Sequence, residues 1–495
     1  MESKKEALNF NFDNSFNDNL EGFFVSCNSE PSTFPRLLQF NKNLAQELGL
    51  NPALLDSKQG LGIFSGNNLP AGSEPLAQAY SGHQFGSFSP LLGDGRALLL
   101  GEVIDSNNQR RDIQLKGSGR TPFSRGGDGK SALGPVLREY LISEYMHILG
   151  IPTTRALAAV ATGDAVNRDT PLPGGILTRV ASSHIRVGTF QFGTALGEID
   201  KIRKIADYSI GRHYPQVTDS ENPYLSFFEC VSNAQALLVA KWMSVGFIHG
   251  VMNTDNMTIT GETIDYGPCA FMDSYSSGTV FSSIDTKGRY AYSNQPSILS
   301  WNLTRLAETL VPLIDDNQDQ AVALLTDAIQ NIQPLYKSHW LTQMRSKIGL
   351  TTNDPSDEEL VNDLLLTMEE EQADFTLVFR RLSEVLQGNN TEARKLFADT
   401  SSFDAWLVRW KDRLIEDGST KESVVIRMNK INPIYIPRNH KVEEALSAAV
   451  ESDDMTLFIN LLSIVSSPFE EEKGKEEYAL PSPSSDVPYK TYCGT

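Results

Sequence analysis

The sequence contains few cysteines, no long apolar run and no apolar segment near its start. Its four cysteines in 495 residues include no CxxC pair, so no disulfide framework is expected and a reducing cytoplasm fits the chain best. No run approaches the roughly 18 uncharged apolar residues of a transmembrane helix. The first six residues are mostly charged and lead into Asn- and Asp-rich sequence, which predicts neither a secretory signal nor a transit peptide.

Positive charge is also scarce relative to negative charge. Lys and Arg number 43 against 62 Asp and Glu, a formal net charge of −19. Because nucleic acids and anionic membranes bind basic surfaces, this balance argues against either as a partner. The hydrophobic fraction of 40% and charged fraction of 21% are ordinary for a soluble globular protein. We expect a monomer of about two to four domains.

The chain changes character along its length. Residues 1–75 form an N-terminal extension with no chemical signal, and residues 76–193 are rich in Gly, Arg and short strand-like runs. Residues 194–467 are mainly helical in period, and residues 468–495 read as a flexible tail. This order predicts an α+β protein with a sheet-rich lobe followed by a mainly helical lobe and a helical C-terminal extension.

Individual elements follow from local patterns. Residues 97–103 and 112–116 predict strands, as do 176–178 and 185–187. Residues 131–149 predict a helix with Ser131 as N-cap and Gly150 just beyond its C-terminus, and residues 230–247 predict a long apolar helix. Residues 257–264 have the pattern of a β-hairpin with Gly261 in the turn.

Three glycine-rich stretches suggest phosphate binding, but none completes a known loop. Gly93-Asp94-Gly95 and Gly117-Ser118-Gly119 each lack the third glycine of a dinucleotide fingerprint, because Leu98 and Pro122 stand in its place. Gly129-Lys130-Ser131 ends like a P-loop, yet Ser124 replaces its first glycine. Neither a Rossmann nor a Walker site is therefore expected.

The order of five other elements is more informative. Lys116 ends a predicted strand, Glu139 lies in the next helix, and the stretch 249–256 precedes Asp265-Tyr266-Gly267. Protein kinases show the same order of strand Lys, helix Glu, catalytic loop and metal-binding Asp. A Lys held by a Glu can reach phosphate oxygens, and Asn256 and Asp265, brought together by the hairpin, can share a divalent ion through hard oxygen ligands.

One position departs from the kinase pattern. Counting from Asn256, the kinase catalytic Asp should be residue 251, which is Val251 here. Valine cannot accept a proton, and the nearest replacement is Asp255. The residues therefore predict a kinase-type metal and nucleotide site with altered chemistry, which fits a kinase whose base has moved to Asp255 or a non-catalytic scaffold that binds nucleotide. Retention of both metal ligands argues against the scaffold.

Long motifs resemble those of the selenoprotein O (YdiU) family, from about residue 20 to the end of the chain. They are YSGHQFG at 80–86, QLKGSGRTPFSR at 114–125, HGVMNTDNM at 249–257, DYGP at 265–268 and NPIYIPRNH at 432–440. The resemblance implies a protein-kinase-like fold that transfers AMP, or UMP in some bacterial members, from ATP or UTP to Ser, Thr or Tyr hydroxyls of proteins, releasing pyrophosphate. The nucleotide would be bound in reverse, with its α-phosphate facing the acceptor.

The resemblance also implies roles for particular residues. Asp255 would be the general base, Asn256 and Asp265 would hold Mg²⁺ or Mn²⁺, and Glu139 would support Lys116. The residues that would contact the nucleotide are Gly93, Gly95, Arg96, Lys116, Asp128, Gly129, Arg179, Arg186 and Asp265. We expect Arg179 and Arg186 to lie on neighbouring strands and to bind phosphate.

The cysteines differ from the pattern of some family members, which carry selenocysteine near the C-terminus. Cys493 occupies that end here. Bacterial members can join a C-terminal cysteine to one in the segment after the metal-binding Asp, and in this chain that segment offers Cys269 alone.

Overall fold

The structure is a computed structural model that describes residues 8–483 and 489–492. Its strands are β1 Phe24–Ser26, β2 Arg36–Phe40, β3 Leu76–Gln78, β4 Gly82–Gln84, β5 Ser87–Ser89, β6 Ala97–Ile104, β7 Arg110–Lys116, β8 Ser131–Ala132, β9 Arg155–Asn167, β10 Pro171–Ala181, β11 Phe247–Ile248 and β12 Ala270–Phe271.

Most helices follow the sheet in the chain. They are α1 Ser15–Asn19, α2 Lys42–Glu47, α3 Pro52–Leu55, α4 Lys58–Phe64, α5 Leu133–Ile148, α6 Val187–Ala195, α7 Ile199–His213, α8 Pro223–Ser244, α9 Gln295–Ile314, α10 Gln318–Gln330, α11 Ile332–Lys347, α12 Asp357–Glu370, α13 Phe375–Leu386, α14 Thr391–Arg394, α15 Ser401–Asp417, α16 Lys421–Ile431, α17 Asn439–Glu451, α18 Thr456–Val465 and α19 Glu476–Ala479. The α+β class, with a sheet-rich first part and a helical second part, is confirmed. None of the described helices is long and apolar enough to cross a membrane.

The main sheet is antiparallel, in the order β1-β3-β6-β7-β10-β9-β2, with β8 paired to β10. Alternation along β6 divides its side chains between the two faces. Leu98 and Leu100 pack with the small helices α2 to α4, and Leu99 faces the opposite core with α5. The sheet is thus buried on both faces, which holds β7 and its terminal Lys116 rigidly.

Helix α5 begins two residues later than predicted. Ser131 is not its N-cap, because Ser131 and Ala132 pair with Gly175 and Gly174 of β10 and Ala132 occupies the cap position. Pairing with the sheet overrides the capping preference of serine. At the other end Gly150 follows the C-cap with φ +69°, the left-handed conformation that glycine adopts without strain.

Two predicted β elements are wrong. Residues 185–187 are not a strand: Arg186 is the N-cap of α6, so Arg179 and Arg186 do not lie on neighbouring strands. Residues 257–264 form no hairpin, because the two arms pair elsewhere, Thr258 with Arg186 and Thr263 with Thr153. The turn is instead closed by the Thr258 hydroxyl, which donates to the Glu262 carbonyl and accepts from the Glu262 amide.

The C-terminal segment, predicted to be flexible from Pro468, contacts the rest of the protein at particular described residues, although many of the others are exposed. Tyr478 and Tyr489 contact the main core, and Thr491 pairs with Ser282 and donates its hydroxyl to the carbonyl of Pro268. Burial of these two aromatic rings stabilises a segment whose charge runs alone suggest solvation. Cys493 lies outside the described residues.

Candidate active site

A cavity of about 720 Å³ opens between the main sheet and the loop 249–268. Every residue that the sequence singled out for the site contributes to its lining. They are Gly93, Gly95, Arg96, Lys116, Asp128, Gly129, Glu139, Arg179, Arg186, Asp255, Asn256 and Asp265. The structure therefore brings together side chains from β7, α5, β10, the N-terminus of α6 and the loop after α8.

Asp265 lies at the centre of a group of charged side chains that line the cavity. Lys116 Nζ lies 2.6 Å from Asp265 Oδ1 and 2.6 Å from Glu139 Oε2, and Arg179 Nη1 also lies 2.6 Å from Asp265 Oδ1. Arg186 Nη1 approaches the other oxygen, Oδ2, at 3.2 Å. We call these five residues, Lys116, Glu139, Arg179, Arg186 and Asp265, the cavity cluster.

The charges of the cavity cluster set the ionisation of its carboxylate. Burial opposes ionisation of Asp265, but the three cations outweigh it and hold the pKa of Asp265 well below its usual range. Asp265 also has φ +62°, a strained backbone conformation for a residue with a side chain. Strain of this kind persists where surrounding contacts hold the residue, and here three ion pairs do so.

Asp255 lies beside the cavity cluster, in a 3₁₀ turn over Thr254–Asn256, where its backbone carbonyl accepts a hydrogen bond from Arg186 Nη1 at 2.9 Å. Its Oδ2 accepts a hydrogen bond from Gln84 Nε2 at 3.3 Å, and its buried Oδ1 has no hydrogen-bond partner among the described residues. Burial raises the pKa of Asp255 to about 6, against the lowering effect of the Arg186 guanidinium. A carboxylate in this state can take up a proton near neutral pH.

Asn256 is held beside Asp255 by the residue that replaces the kinase aspartate. Its amide Nδ2 donates to the carbonyl of Val251 at 3.0 Å, which leaves the amide oxygen as an acceptor on the cavity side of the loop. Asn256 and Asp265 thus share the cavity although the predicted hairpin is absent.

The glycines of the rim are explained by close packing. A Cβ on Gly93 would lie 2.3 Å from the ring of Phe123, and one on Gly129 would lie 2.0 Å from the carbonyl oxygen of Gly119. Both glycines also have positive φ, +66° and +65°. The carboxylate of Asp128 forms an ion pair with Arg168, whose Nη1 lies 2.9 Å from it.

Four further residues complete the site and were not predicted. Gln114 Oε1 accepts from Arg179 Nη2 at 2.6 Å, and the buried Asp94 lies 3.6 Å from Arg186 Nη2. Tyr80 supports the Arg186 guanidinium, which lies 4.3 Å from its ring centroid, and Gln84 binds Asp255.

The sequence contained signals for two of these four residues. Gln114 precedes Lys116 by two residues, so strand alternation places both on one face. Asp94 stands between the two glycines of the Gly93-Asp94-Gly95 turn. Tyr80 and Gln84 lie in the YSGHQFG motif at 80–86, which indicated the family but no role for either residue.

A cavity that holds three cations around one carboxylate, with a second carboxylate able to accept a proton, defines a site that transfers a phosphate-bearing group. Comparison with known proteins makes this class specific. A family model described as protein adenylyltransferase SelO matches residues 6–466, and the chain belongs to this family.

Named relatives agree with the family model. A protein nucleotidyltransferase YdiU of Cereibacter sphaeroides (strain KD131) is 57% identical over 490 residues, covering 99% of this chain and all of the relative. One of Rhizobium rhizogenes is 54% identical over 492 residues (99% and 98%), and one of Geobacillus kaustophilus is 54% identical over 484 residues (98% and 99%). The family and the nucleotidyltransferase class predicted from the motifs are therefore confirmed.

Proposed function

We propose that this cavity transfers a nucleoside monophosphate from ATP or UTP to a Ser, Thr or Tyr hydroxyl of another protein. The observation that carries the proposal is that one cavity holds both a group of cations and a separate carboxylate. Three cations gather at Asp265, while the carboxylate of Asp255 has one oxygen without a hydrogen-bond partner among the described residues. The cations suit a polyphosphate, and the Asp255 carboxylate suits a hydroxyl that must lose its proton.

The cavity cluster would bind the phosphate chain. Arginine presents parallel N–H donors that match phosphate oxygens, and Lys116 adds a point charge held in place by Glu139. Arg179 and Arg186 are both almost fully buried, at 1% and 2% exposed, so their geometry is set before nucleotide arrives. Donors arranged in advance need little reorganisation as charge develops on the leaving pyrophosphate.

Asp255 would act on the acceptor. Its carboxylate would remove the proton of the hydroxyl as the oxygen of that hydroxyl bonds to the α-phosphorus and the bond from the α-phosphorus to the bridging oxygen breaks. The electron pair of that bond leaves with pyrophosphate. Burial of Asp255 raises its affinity for the proton, which is what a general base near neutral pH requires.

The donor atoms also fit a divalent metal ion. No three His, Cys, Asp or Glu side chains group to form a metal cage within residues 8–483 and 489–492. Mg²⁺ is commonly held by one or two protein oxygens together with substrate phosphates, and Asn256 and Asp265 supply such oxygens in the same cavity. When bound there, Mg²⁺ or Mn²⁺ would neutralise phosphate charge.

We also infer that the two parts of the fold correspond to the lobes of a protein kinase. Support comes from the positions of Lys116 at the end of β7, Glu139 on α5 and Asp265 after the loop that follows α8. A strand Lys paired with a helix Glu is the arrangement that kinases use.

Labelled nucleotide tests the proposed reaction. The protein is incubated with acceptor proteins, Mg²⁺ or Mn²⁺, and ATP labelled at either the α- or the γ-phosphate. We expect label on protein from the α position only. Label from the γ position only would identify a kinase with Asp255 as its displaced base, and no label from either position would favour a scaffold.

A further inference from the structure

The edge of the cavity next to Asp255 continues onto an exposed surface with both apolar and cationic groups. It consists of the β4–β5 turn (residues 84–88), Ile284, Arg289 and Trp301, which we call the mouth surface. Gln84, Phe85 and Ile284 also line the cavity, so the surface is continuous with it. Phe88 and Ile284 are 47% and 52% exposed, so both offer apolar area to a partner.

Hydrogen bonds fix the mouth surface to the loop that carries Asp255. Asn253 Oδ1 accepts from the backbone N–H of Phe85 at 3.0 Å and from the hydroxyl of Tyr290 at 2.6 Å. Gln84 reaches Asp255 itself at 3.3 Å. Through Asn253, the β4–β5 turn and the residue next to Arg289 are therefore positioned by the same loop as Asp255.

The β4–β5 turn has the strained geometry that often marks a functional surface. Phe85 and Gly86 are its two central residues, with φ of +51° and +88°. Positive φ at both positions is typical of a type I′ turn, where Asn or Gly is preferred and a bulky aromatic residue is costly. The ring of Phe85 packs on Tyr290 at a centroid distance of 5.1 Å, which holds it at this edge.

Arg289 gives the mouth surface an unneutralised positive charge. Its guanidinium lies 4.7 Å from the ring centroid of Trp301 and 3.6 Å from where a Cβ on Gly86 would stand. No carboxylate of the described residues forms an ion pair with it, and the carboxylate of Asp285 is engaged by the backbone amides of Arg289 and Tyr290.

Neighbouring Arg305 shows the contrast. It also stacks on Trp301, at 5.1 Å, but Glu308 lies 2.7 Å from its guanidinium. Arg289 thus stacks on an aromatic ring without an ion-pair partner among the described residues. A cation fixed in this way suits an acidic side chain supplied by a partner.

We propose that the mouth surface binds the acceptor protein and that Arg289 selects hydroxyl groups that have an Asp or Glu side chain nearby in sequence. The acidic side chain would bind the guanidinium of Arg289, and apolar groups of the acceptor would cover Phe88 and Ile284. This inference rests on the proposed function, because it names the chemistry of the acceptor for the same site.

Mapping of modified sites tests this proposal. Soluble proteins of a heat-treated bacterial lysate are incubated with ATP and wild-type protein, R289Q or R289E, and modified residues are located by mass spectrometry. R409E is the matched control, since it makes the same charge change on α15, which does not line the cavity. For the most heavily modified protein, KM and kcat are then measured, as is KM for ATP.

We expect Asp and Glu to be enriched around sites modified by wild type and R409E. R289Q should lose this enrichment, and R289E should replace it with Lys and Arg. KM for the acceptor should rise roughly five-fold in R289Q, with kcat and KM for ATP unchanged. Equal flanking sequences for wild type and R289Q would overturn the inference and leave the nucleotidyltransferase intact. Absence of transfer by wild type would overturn the proposed function, and this inference with it.

Discussion

Two groups of buried charges lie on the same face of the main sheet, at opposite ends of β7. Asp112, Gln114 and Lys116 occupy alternate positions of this strand and so share a face. Lys116 belongs to the cavity cluster. Asp112 belongs to a second group, Glu102, Asp112, His184 and Arg212, which we call the closed cluster.

Both carboxylates of the closed cluster form ion pairs within the cluster. Arg212 Nη1 lies 2.6 Å from Glu102 and its Nη2 lies 2.6 Å from Asp112, while His184 Nδ1 lies 2.9 Å from the other oxygen of Asp112. Burial lowers the pKa of His184 to about 4, so the imidazole is neutral at pH 7. Neither Glu102 nor Asp112 has an exposed side chain.

The two clusters differ in their access to the cavity and in their ratio of cations to carboxylates. The cavity cluster places three cations on two carboxylates and opens onto 720 Å³ of space, whereas the closed cluster pairs one permanent cation with two carboxylates and lines no part of that cavity. Similar residues therefore serve two purposes. The cations of the cavity cluster can exchange their contacts with carboxylates for contacts with phosphate, and the closed cluster joins α7 to the sheet. Substitutions at the cavity should therefore reduce activity, whereas substitutions in the closed cluster should reduce stability.

The largest effect is expected at the cavity. Asp255→Asn removes the proton acceptor but keeps the shape of the side chain, so the rate of nucleotide transfer should fall by about 10²- to 10⁴-fold. Binding of ATP, followed by calorimetry, should be retained. Asp363→Asn, an exposed carboxylate on α12, is the control and should be fully active. Unchanged transfer by Asp255→Asn would remove Asp255 from the mechanism.

The closed cluster should respond in the opposite way. Arg212→Met leaves Glu102 and Asp112 buried without their cation, which should lower the free energy of unfolding by about 3–5 kcal/mol. The folded fraction should transfer nucleotide at the wild-type rate. Arg409→Met breaks only exposed ion pairs, with Glu359 and Asp363, and should cost less than about 1 kcal/mol in a urea titration. A large loss of activity in folded Arg212→Met protein would contradict the separation of the two clusters.

A smaller effect is expected where the backbone approaches Asp255. A Cβ on Gly82 would lie 2.5 Å from Asp255 Oδ1 and 2.8 Å from Leu92 Cδ1, so Gly82→Ala must displace the carboxylate. We expect kcat to fall about tenfold with little change in KM for ATP. Gly211→Ala, in α7 with nothing within 4 Å of the added atom, is the matched control. Equal kcat for the two variants would show that the position of Asp255 is not critical.

Lys347 extends the comparison of buried charged groups, because this buried lysine has no carboxylate partner among the described residues. Its Nζ lies 4.4 Å from the ring centroid of Phe379, and burial lowers its pKa from 10.5 to about 7. Between these values the unfolded chain binds a proton that the folded protein does not, so wild-type stability should rise with pH by at most about 1.4 kcal/mol per unit.

Lys347→Met should abolish that rise. Urea unfolding between pH 7 and 10 measures it, with Lys337→Met, at an exposed lysine on α11, as the control. Parallel stability curves for wild type and Lys347→Met would mean that Lys347 stays protonated in the folded protein.

The sequence predicted the site better than it predicted the local elements. Five site residues were predicted because their order along the chain follows a chemical requirement, and all of them line one cavity. They are Lys116, Glu139, Asp255, Asn256 and Asp265. The roles assigned to them remain predictions.

The elements around Arg186 were not predictable from local pattern. Ile185 and Val187, on either side of Arg186, suggest a strand as readily as a helix start, and pairing of Arg186 with Thr258 across the loop decides between them. Likewise Tyr80 and Gln84 enter the site only through contacts with Arg186 and Asp255, which are distant in the chain. Long-range packing of this kind leaves no periodic signal.

The mass of an acceptor protein after reaction tests the central claim most directly. Wild type with ATP and a divalent metal should add the mass of one adenylyl group (adenosine monophosphate less one water) per modified site, with one pyrophosphate released, and Asp255→Asn should leave the acceptor unmodified while still binding ATP. Addition of a phosphoryl mass, or an adenylylated acceptor formed equally fast by Asp255→Asn, would contradict it.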